Sequence, residues 1–312
     1  MIRILDDAGP QTTVQDLGRT GRMRYGIPPS GPVDRFAFVL ANRLLGNPDT
    51  AAALECTLMG PRFEMTAAGA IAVTGADMPV TVNGQDAPGW ATIAVKSGDV
   101  VKLGAARRGV RSYVGFAGGL DVPLVLGSRA TYLRGRIGGL QGRALRKGDE
   151  LAILPSGSVN PRRVARRDIP DYTGEPTVRA VLGPQADRFT DEGLRALFGG
   201  LYEVLPQSDR MGSRLRGPRI EHARGHDIIS DGIALGSIQV PGDGQPIVLL
   251  VDRQSTGGYT KAATICSSDI WRVGQARPGQ WLRFQSIDVE EAHRLLRESD
   301  TALEAAVREE SA

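Results

Sequence analysis

The feature that most constrains this chain is its punctuation: 40 glycines and 19 prolines in 312 residues, set between short runs of β-branched and aromatic residues. Glycine permits positive φ and proline fixes φ, so both interrupt long helices and start turns. Short apolar runs bounded by such breaks predict a mainly β protein of many small strands. The clearest runs are 71–74, 80–82, 92–95, 100–103, 110–116, 151–154, 177–182, 202–205, 247–251 and 281–284. Asn83-Gly84, directly after Val80–Val82, predicts a two-residue hairpin. A unit of the form basic-x-Gly-Asp/Gln precedes a strand at 96–99, 146–149 and 277–280, and predicts the same tight turn each time.

Three segments read as helices. Asp34–Leu45 has apolar residues at helical spacing and stops at Gly46. Thr190–Phe198 opens on an N-capping threonine followed by Asp191 and Glu192, and stops at Gly199. The third runs from Asp288 to about Arg308, with Asp288 and Glu291 in capping-box spacing. Gly60–Glu64 (GPRFE) returns as Gly217–Glu221 (GPRIE), and weaker matches flank it in the same order, which suggests tandem related β domains. Pro, Arg, Gly and Ser replace periodic pattern near 155–176. The expected layout is therefore an N-terminal β domain over 1–160, a linker over 161–176 and a C-terminal β domain with a terminal helix over 177–312.

Bulk properties exclude several classes. Thirty-eight Lys and Arg against 35 Asp and Glu leave a net charge of +3, and the basic cluster Arg162, Arg163, Arg166 and Arg167 has no interleaved aromatic residues, so no nucleic-acid partner is expected. No apolar run is long enough for a bilayer and no secretory signal opens the chain, so no membrane partner and a cytoplasmic location are expected. Cys56 and Cys266 read as a reduced, buried pair, and His222, His226 and His293 lack metal-ligand spacing, so no metal is expected. There is no P-loop, no G-x-S-x-G elbow and no biotin-attachment motif.

The chemistry-bearing candidates are four polar, Gly- and Pro-punctuated segments: Thr13–Arg19 with Gly26–Arg35, Pro206–Gly212, Ser230–Pro246 and Asp252–Lys261. The last is the strongest, because an apolar strand at 247–251 empties into Asp-Arg-Gln-Ser-Thr-Gly-Gly-Tyr-Thr-Lys. Gly257 and Gly258 allow close approach and left-handed backbone, Gln254 can match both faces of an amide, and Lys261 or Arg253 can stabilise an oxyanion. A plain hairpin braced by an Asp252–Arg253 ion pair is an equally open reading. For Gln207-Ser208-Asp209-Arg210, loop bracing by Asp–Arg pairing is the stronger alternative.

These same blocks carry a resemblance over essentially the full chain. TTVQDLGR (12–19), GIPPSGPVDRFA (26–37), LGSRATY (126–132), PQSDRMG (206–212), SDGIALGSIQVPGDGQPI (230–247) and DRQSTGGYTK (252–261) resemble the family of allophanate hydrolase subunit 2, the C component of 5-oxoprolinase, the carboxyltransferase region of urea carboxylase and the Kip-type antagonist. Cys56 stands where an Ile or Val is expected. The resemblance implies tandem cyclophilin-like β-barrel domains with a few peripheral helices. It implies a partner, subunit 1 of the same family (Kip inhibitor-like, or the B component of oxoprolinase), in a hetero-oligomer. It implies an amide-processing enzyme: an ATP-dependent 5-oxoprolinase first, with a biotin-dependent carboxyltransferase acting on urea or a non-catalytic regulator as alternatives. ATP shared with the partner, or carboxybiotin carried on another protein, would be the cofactor. The expected catalytic residues are Lys261 and Tyr259, with Asp209 or Asp252 as base or orienter. Gln254, Arg253, Thr256, Gly257, Gly258, Gln207, Ser208, Arg210, Gln239, Gln245 and Ser30 are expected around the substrate.

Overall fold

The computed structural model describes residues 1–6 and 8–309, and the chain is mainly β with four α-helices among them. It divides into two compact units. The first holds Met1–Thr20, Ser30–Asp171 and the segment from Ala302 onward; the second holds Gly21–Pro29 and Tyr172–Thr301. The break at 171/172 falls inside the span read as a linker. That span is not featureless, because Arg162–Val164 pairs antiparallel with Val307–Glu309. The third helix accordingly ends at Ala305, short of the expected 308, and the residues after it become a strand.

In the first unit a seven-stranded sheet and a five-stranded sheet enclose one apolar core. The five-stranded sheet runs Gln11–Gln15, Ala53–Thr57, Arg108–Phe116, Gly69–Asp77, Thr92–Val95. Its two long central strands are buried on both faces, and their side-chain alternation shows why. Ile71, Val73, Val114 and Phe116 enter the core, where they meet Ile2, Ile4, Phe63 and Val101 of the other sheet. On the opposite face Thr74 donates to the carbonyl of Ala37 at 2.7 Å, and the Tyr113 ring meets Phe38 edge-on. Gly115 leaves room for the Ala41 backbone, which a Cβ would approach to 3.1 Å. Large residues thus face the core and small or polar ones receive helix α1, Arg35–Leu44, capped by the Asp34 carboxylate on the Ala37 amide at 3.0 Å.

The second unit contains a closed barrel of seven strands in the order Thr177–Leu182, Lys261–Ile265, Ser237–Gln239, Ile247–Leu249, Gly212–Arg216, Leu201–Val204, Trp281–Ser286. The parallel pairing of Thr177–Leu182 with Trp281–Ser286 closes it. Helix α2 (Asp191–Gly199) starts from the Thr190 hydroxyl cap, as its sequence predicts. A short helix α3, Ile270–Gln275, carries no capping side chain and escaped sequence reading; α4 is Val289–Ala305. A two-stranded ribbon pairs Asp227–Gly232 with Thr256–Tyr259, bulged between Asp227 and Asp231.

The three repeated turns form as expected. Gly98, Gly148 and Gly279 have φ of 86°, 85° and 85°, and in each turn the last side chain accepts the amide of the first residue at 2.7, 2.9 and 3.0 Å. Asn83 and Gly84 both have positive φ, joining two paired strands. The GPRFE/GPRIE repeat fares differently: Arg62–Met65 is a strand, while 217–221 follows the end of one.

Candidate active site

The strand Ile247–Leu249 delivers Leu250, Val251, Asp252 and Arg253 to the barrel end while they are still buried. Here the 206–212 and 252–261 segments touch through Arg210 and Asp252. Asp252 N–H donates to the Arg210 carbonyl at 2.9 Å, and the Arg210 guanidinium pairs with the Asp252 carboxylate at 2.9 and 3.3 Å. Both side chains are almost fully buried. Asp252 therefore serves as counter-ion to Arg210, and no Asp252–Arg253 ion pair forms among the described residues. Asp209 is also occupied, its Oδ1 accepting the Met211 and Gly212 amides at 2.7 and 3.2 Å, which closes the turn ahead of Gly212–Arg216. Ser208 accepts the Arg214 amide in the same turn, and Gln207 is exposed.

Arg253 is buried and bonds two carbonyls, Ile233 at 3.0 Å and Leu250 at 3.3 Å, plus the Met23 sulfur at 3.5 Å. Burial pulls its guanidinium below the ordinary value. These partners are all neutral, so Arg253 is a buried cation suited to receive an anion.

Beyond it lies the cluster that best matches the chemistry sought. Lys261 is 2% exposed, yet its ammonium meets the carboxylate of Asp231, on the ribbon, at 3.3 Å. Gln185 lies beside them, its Oε1 accepting the Lys261 backbone amide at 3.2 Å. The Gly232 amide, at 2.7 Å, followed by Lys261, holds the Asp231 carboxyl below the usual aspartate range. Asp231 is thus an ionised partner that orients Lys261 rather than a proton acceptor tuned to neutral pH. Sequence reading noticed the Ser230-Asp231-Gly232 block but did not select Asp231, and missed Gln185, because ribbon pairing and barrel closure, not spacing, bring them to Lys261.

Gly257 sits across from Asp231 in the ribbon. A Cβ there would lie 2.7 Å from Gln239 Nε2, 2.7 Å from Ile233 Cδ1 and 3.1 Å from Gln254 Nε2. The missing side chain lets two glutamine amides gather at one point, and Gln239 Nε2 makes no hydrogen bond among the described residues. Neither Gly257 nor Gly258 has positive φ; close approach, and not left-handed backbone, is what these glycines supply. Thr256 and Tyr259 are exposed on the same strand, the Tyr259 ring 6.4 Å from that of His226. His226 meets His222 in turn, whose burial lowers its pKa.

Two expected residues remain. Gln245 clamps Gly217, accepting its amide at 2.8 Å and donating to its carbonyl at 3.3 Å. Ser30 lies in the first unit, buried at φ 58° before Gly31, whose amide donates to Gln15 at 3.1 Å. The gathered cluster is Lys261, Asp231, Gln185, Gln239, Gln254 and Gly257. Among the described residues no group of three or more His, Cys, Asp or Glu could hold a metal ion, and no helix is long and apolar enough to cross a membrane.

The profile of the family described as carboxyltransferase domain, subdomain A and B, matches residues 25–286. Urea amidolyase of Saccharomyces cerevisiae is 35% identical over 95% of this chain, which spans 17% of that protein. The C component of 5-oxoprolinase from Escherichia coli is 37% identical over 94% of this chain and 93% of its own length. The same component from Haemophilus influenzae is 32% identical over 97% of both. The crystal structure of K. lactis urea amidolyase matches with a TM-score of 0.92 at 33% identity, covering 97% of this chain and 20% of that one.

Proposed function

Because the chain belongs to the carboxyltransferase-domain family, subdomains A and B, we propose that it is the C-type component of an ATP-dependent 5-oxoprolinase, opening 5-oxoproline to glutamate together with a partner subunit. The observation that carries this reading is the likeness to two 5-oxoprolinase C components over at least 93% of their lengths. The cluster around Lys261 supports it chemically. A lactam presents a carbonyl oxygen and an N–H side by side, and a glutamine amide matches both. Gln254 and Gln239 orient that group, Lys261 stabilises negative charge developing on its oxygen, Asp231 fixes the ammonium's position and Gln185 holds the Lys261 backbone. Tyr259, exposed on the ribbon, is the neighbouring donor. The buried Arg253, bonded only to neutral groups, fits an anionic group beside the amide. ATP shared with the partner supplies activation of the lactam oxygen. The partner is subunit 1 of the family, in a cytoplasmic hetero-oligomer.

A second reading, transfer of a carboxyl group from carboxybiotin on another protein to urea or a similar amide, is favoured by the TM-score of 0.92 to urea amidolyase. It uses the same donors on a ureido oxygen. Reconstitution with the partner subunits decides between them: ATP-dependent glutamate release from 5-oxoproline supports the first, and urea consumption dependent on carboxybiotin the second. Lys261→Ala and Tyr259→Ala should lower turnover without lowering the melting temperature. A complex that releases no glutamate, or a Lys261→Ala complex as fast as wild type, would refute the reading.

A further inference from the structure

The short excursion Gly21–Pro29 belongs to the second unit, and no step above uses it. It forms a single 3-10 turn, Met23–Tyr25, which Gly26 closes at φ 77° with its amide on the Met23 carbonyl at 2.9 Å. Arg24 and Tyr25 are exposed and stack on each other, the guanidinium 4.8 Å from the ring centroid. Met23 instead meets the buried Arg253, its sulfur accepting Nη2 at 3.5 Å.

A thioether is a weak acceptor, so this is the poorest of the contacts Arg253 makes. Its other partners are the carbonyls of Ile233 and Leu250. Carboxylates are not at hand: the segments 21–29, 233–242 and 253–268 contain no acid, Asp252 is paired with Arg210, and Asp231 with Lys261. Donors are in excess. Arg22 Nε and Ser255 Oγ are both buried without a hydrogen bond among the described residues. Ile233 joins this set to the glutamine amides. Its carbonyl holds Arg253 Nε at 3.0 Å, its amide donates to the Ser255 carbonyl at 3.1 Å, and its Cδ1 lies 2.7 Å from where a Gly257 Cβ would stand.

We propose that Met23 is a placeholder on Arg253, and that a substrate carboxylate displaces its sulfur, so that the site selects lactams bearing a carboxylate over neutral amides. This rests on the lactam reading of the Lys261 cluster. A carboxylate makes charge-assisted, bidentate bonds to a guanidinium where the sulfur makes one weak bond. The unbranched methionine side chain withdraws at little cost. A neutral lactam, or urea, offers Arg253 nothing and leaves the sulfur in place. Met23 and Arg253 are then specificity residues, felt in substrate affinity.

The test is ATP-dependent glutamate release by the complex reconstituted with its partner subunits, with 5-oxoproline as substrate and the neutral 2-pyrrolidinone as competitor. Arg253→Met should raise KM for 5-oxoproline about 10- to 100-fold, while the inhibition constant of 2-pyrrolidinone moves far less. Met23→Glu covers the case in which that variant does not fold. It hands Arg253 an internal carboxylate, so the melting temperature should be no lower than wild type's while KM rises. An unchanged KM in Met23→Glu, or in a folded Arg253→Met, would overturn the carboxylate subsite and leave the lactam reading standing. Equal weakening of both lactams would do the same, by making Arg253 purely structural. A raised KM for ATP in place of 5-oxoproline would assign the anion to a phosphoryl group and overturn the proposal. No glutamate release by the wild-type complex would overturn both readings.

Discussion

Removing the Asp252 carboxylate separates a structural role from a catalytic one. With Arg210 and Asp252 both nearly fully buried, Asp252→Ala strands a guanidinium inside the barrel end. Breaking a buried pair from one side costs about 3–5 kcal/mol, because the desolvated charge remains. For a unit of this size each kcal/mol moves the midpoint by ~3–4 °C, so the second unit should melt roughly 10–20 °C lower. Differential scanning calorimetry on the full chain reads this directly. Arg210→Met/Asp252→Leu removes both charges and fills similar volume, and should recover most of the loss; the non-additivity of the cycle then measures the pair. If Asp252→Ala instead melts within about 1 kcal/mol of wild type while the reconstituted complex loses turnover, Asp252 is a base after all.

Gly257→Ala places a methyl against Gln239, Ile233 and Gln254, all through side-chain ends that can yield, so folding should survive at a cost of about 1–3 kcal/mol while KM for the amide rises; an unchanged KM in steady-state kinetics would show that the glutamines do not hold substrate. Burial alone would push the Asp269 carboxyl up, but Arg179, at 2.7 Å, and Arg272 hold it below the ordinary range. A depressed carboxylate contributes stability above its unfolded value and loses it as pH falls through the folded one. The melting-temperature gap between wild type and Asp269→Asn should therefore be constant near neutrality and close below about pH 4; a gap independent of pH would refute this assignment.

The strands and turns were legible because their signals are local. Thr177–Leu182 and Thr92–Val95 fall on the residues their β-rich runs mark, and Asn83-Gly84 and the three glycine turns need only their own φ values. Asp34 and Thr190 cap the helices they precede. The site was half legible. Lys261, Gln254, Gly257 and Gln239 do gather, since one strand and its neighbours carry them. Asp231 and Gln185 were missed because their proximity depends on long-range pairing. Asp252 and Asp209 were assigned chemistry because a polar run looks the same whether its carboxylates face substrate or neutralise Arg210 and cap a turn. The partners each carboxylate meets decide that, and the folded barrel supplies those partners.

The excursion of Gly21–Pro29 into the second unit, and the return of the chain to the first from Ala302, bear on how this protein could be dissected. The backbone passes between the units four times, so no single cut liberates either one. A fragment ending near 171 would carry nine residues belonging to its neighbour and would lack the strand that partners Arg162–Val164. Gene fusion at either terminus preserves this weave, whereas splitting the gene in the middle does not.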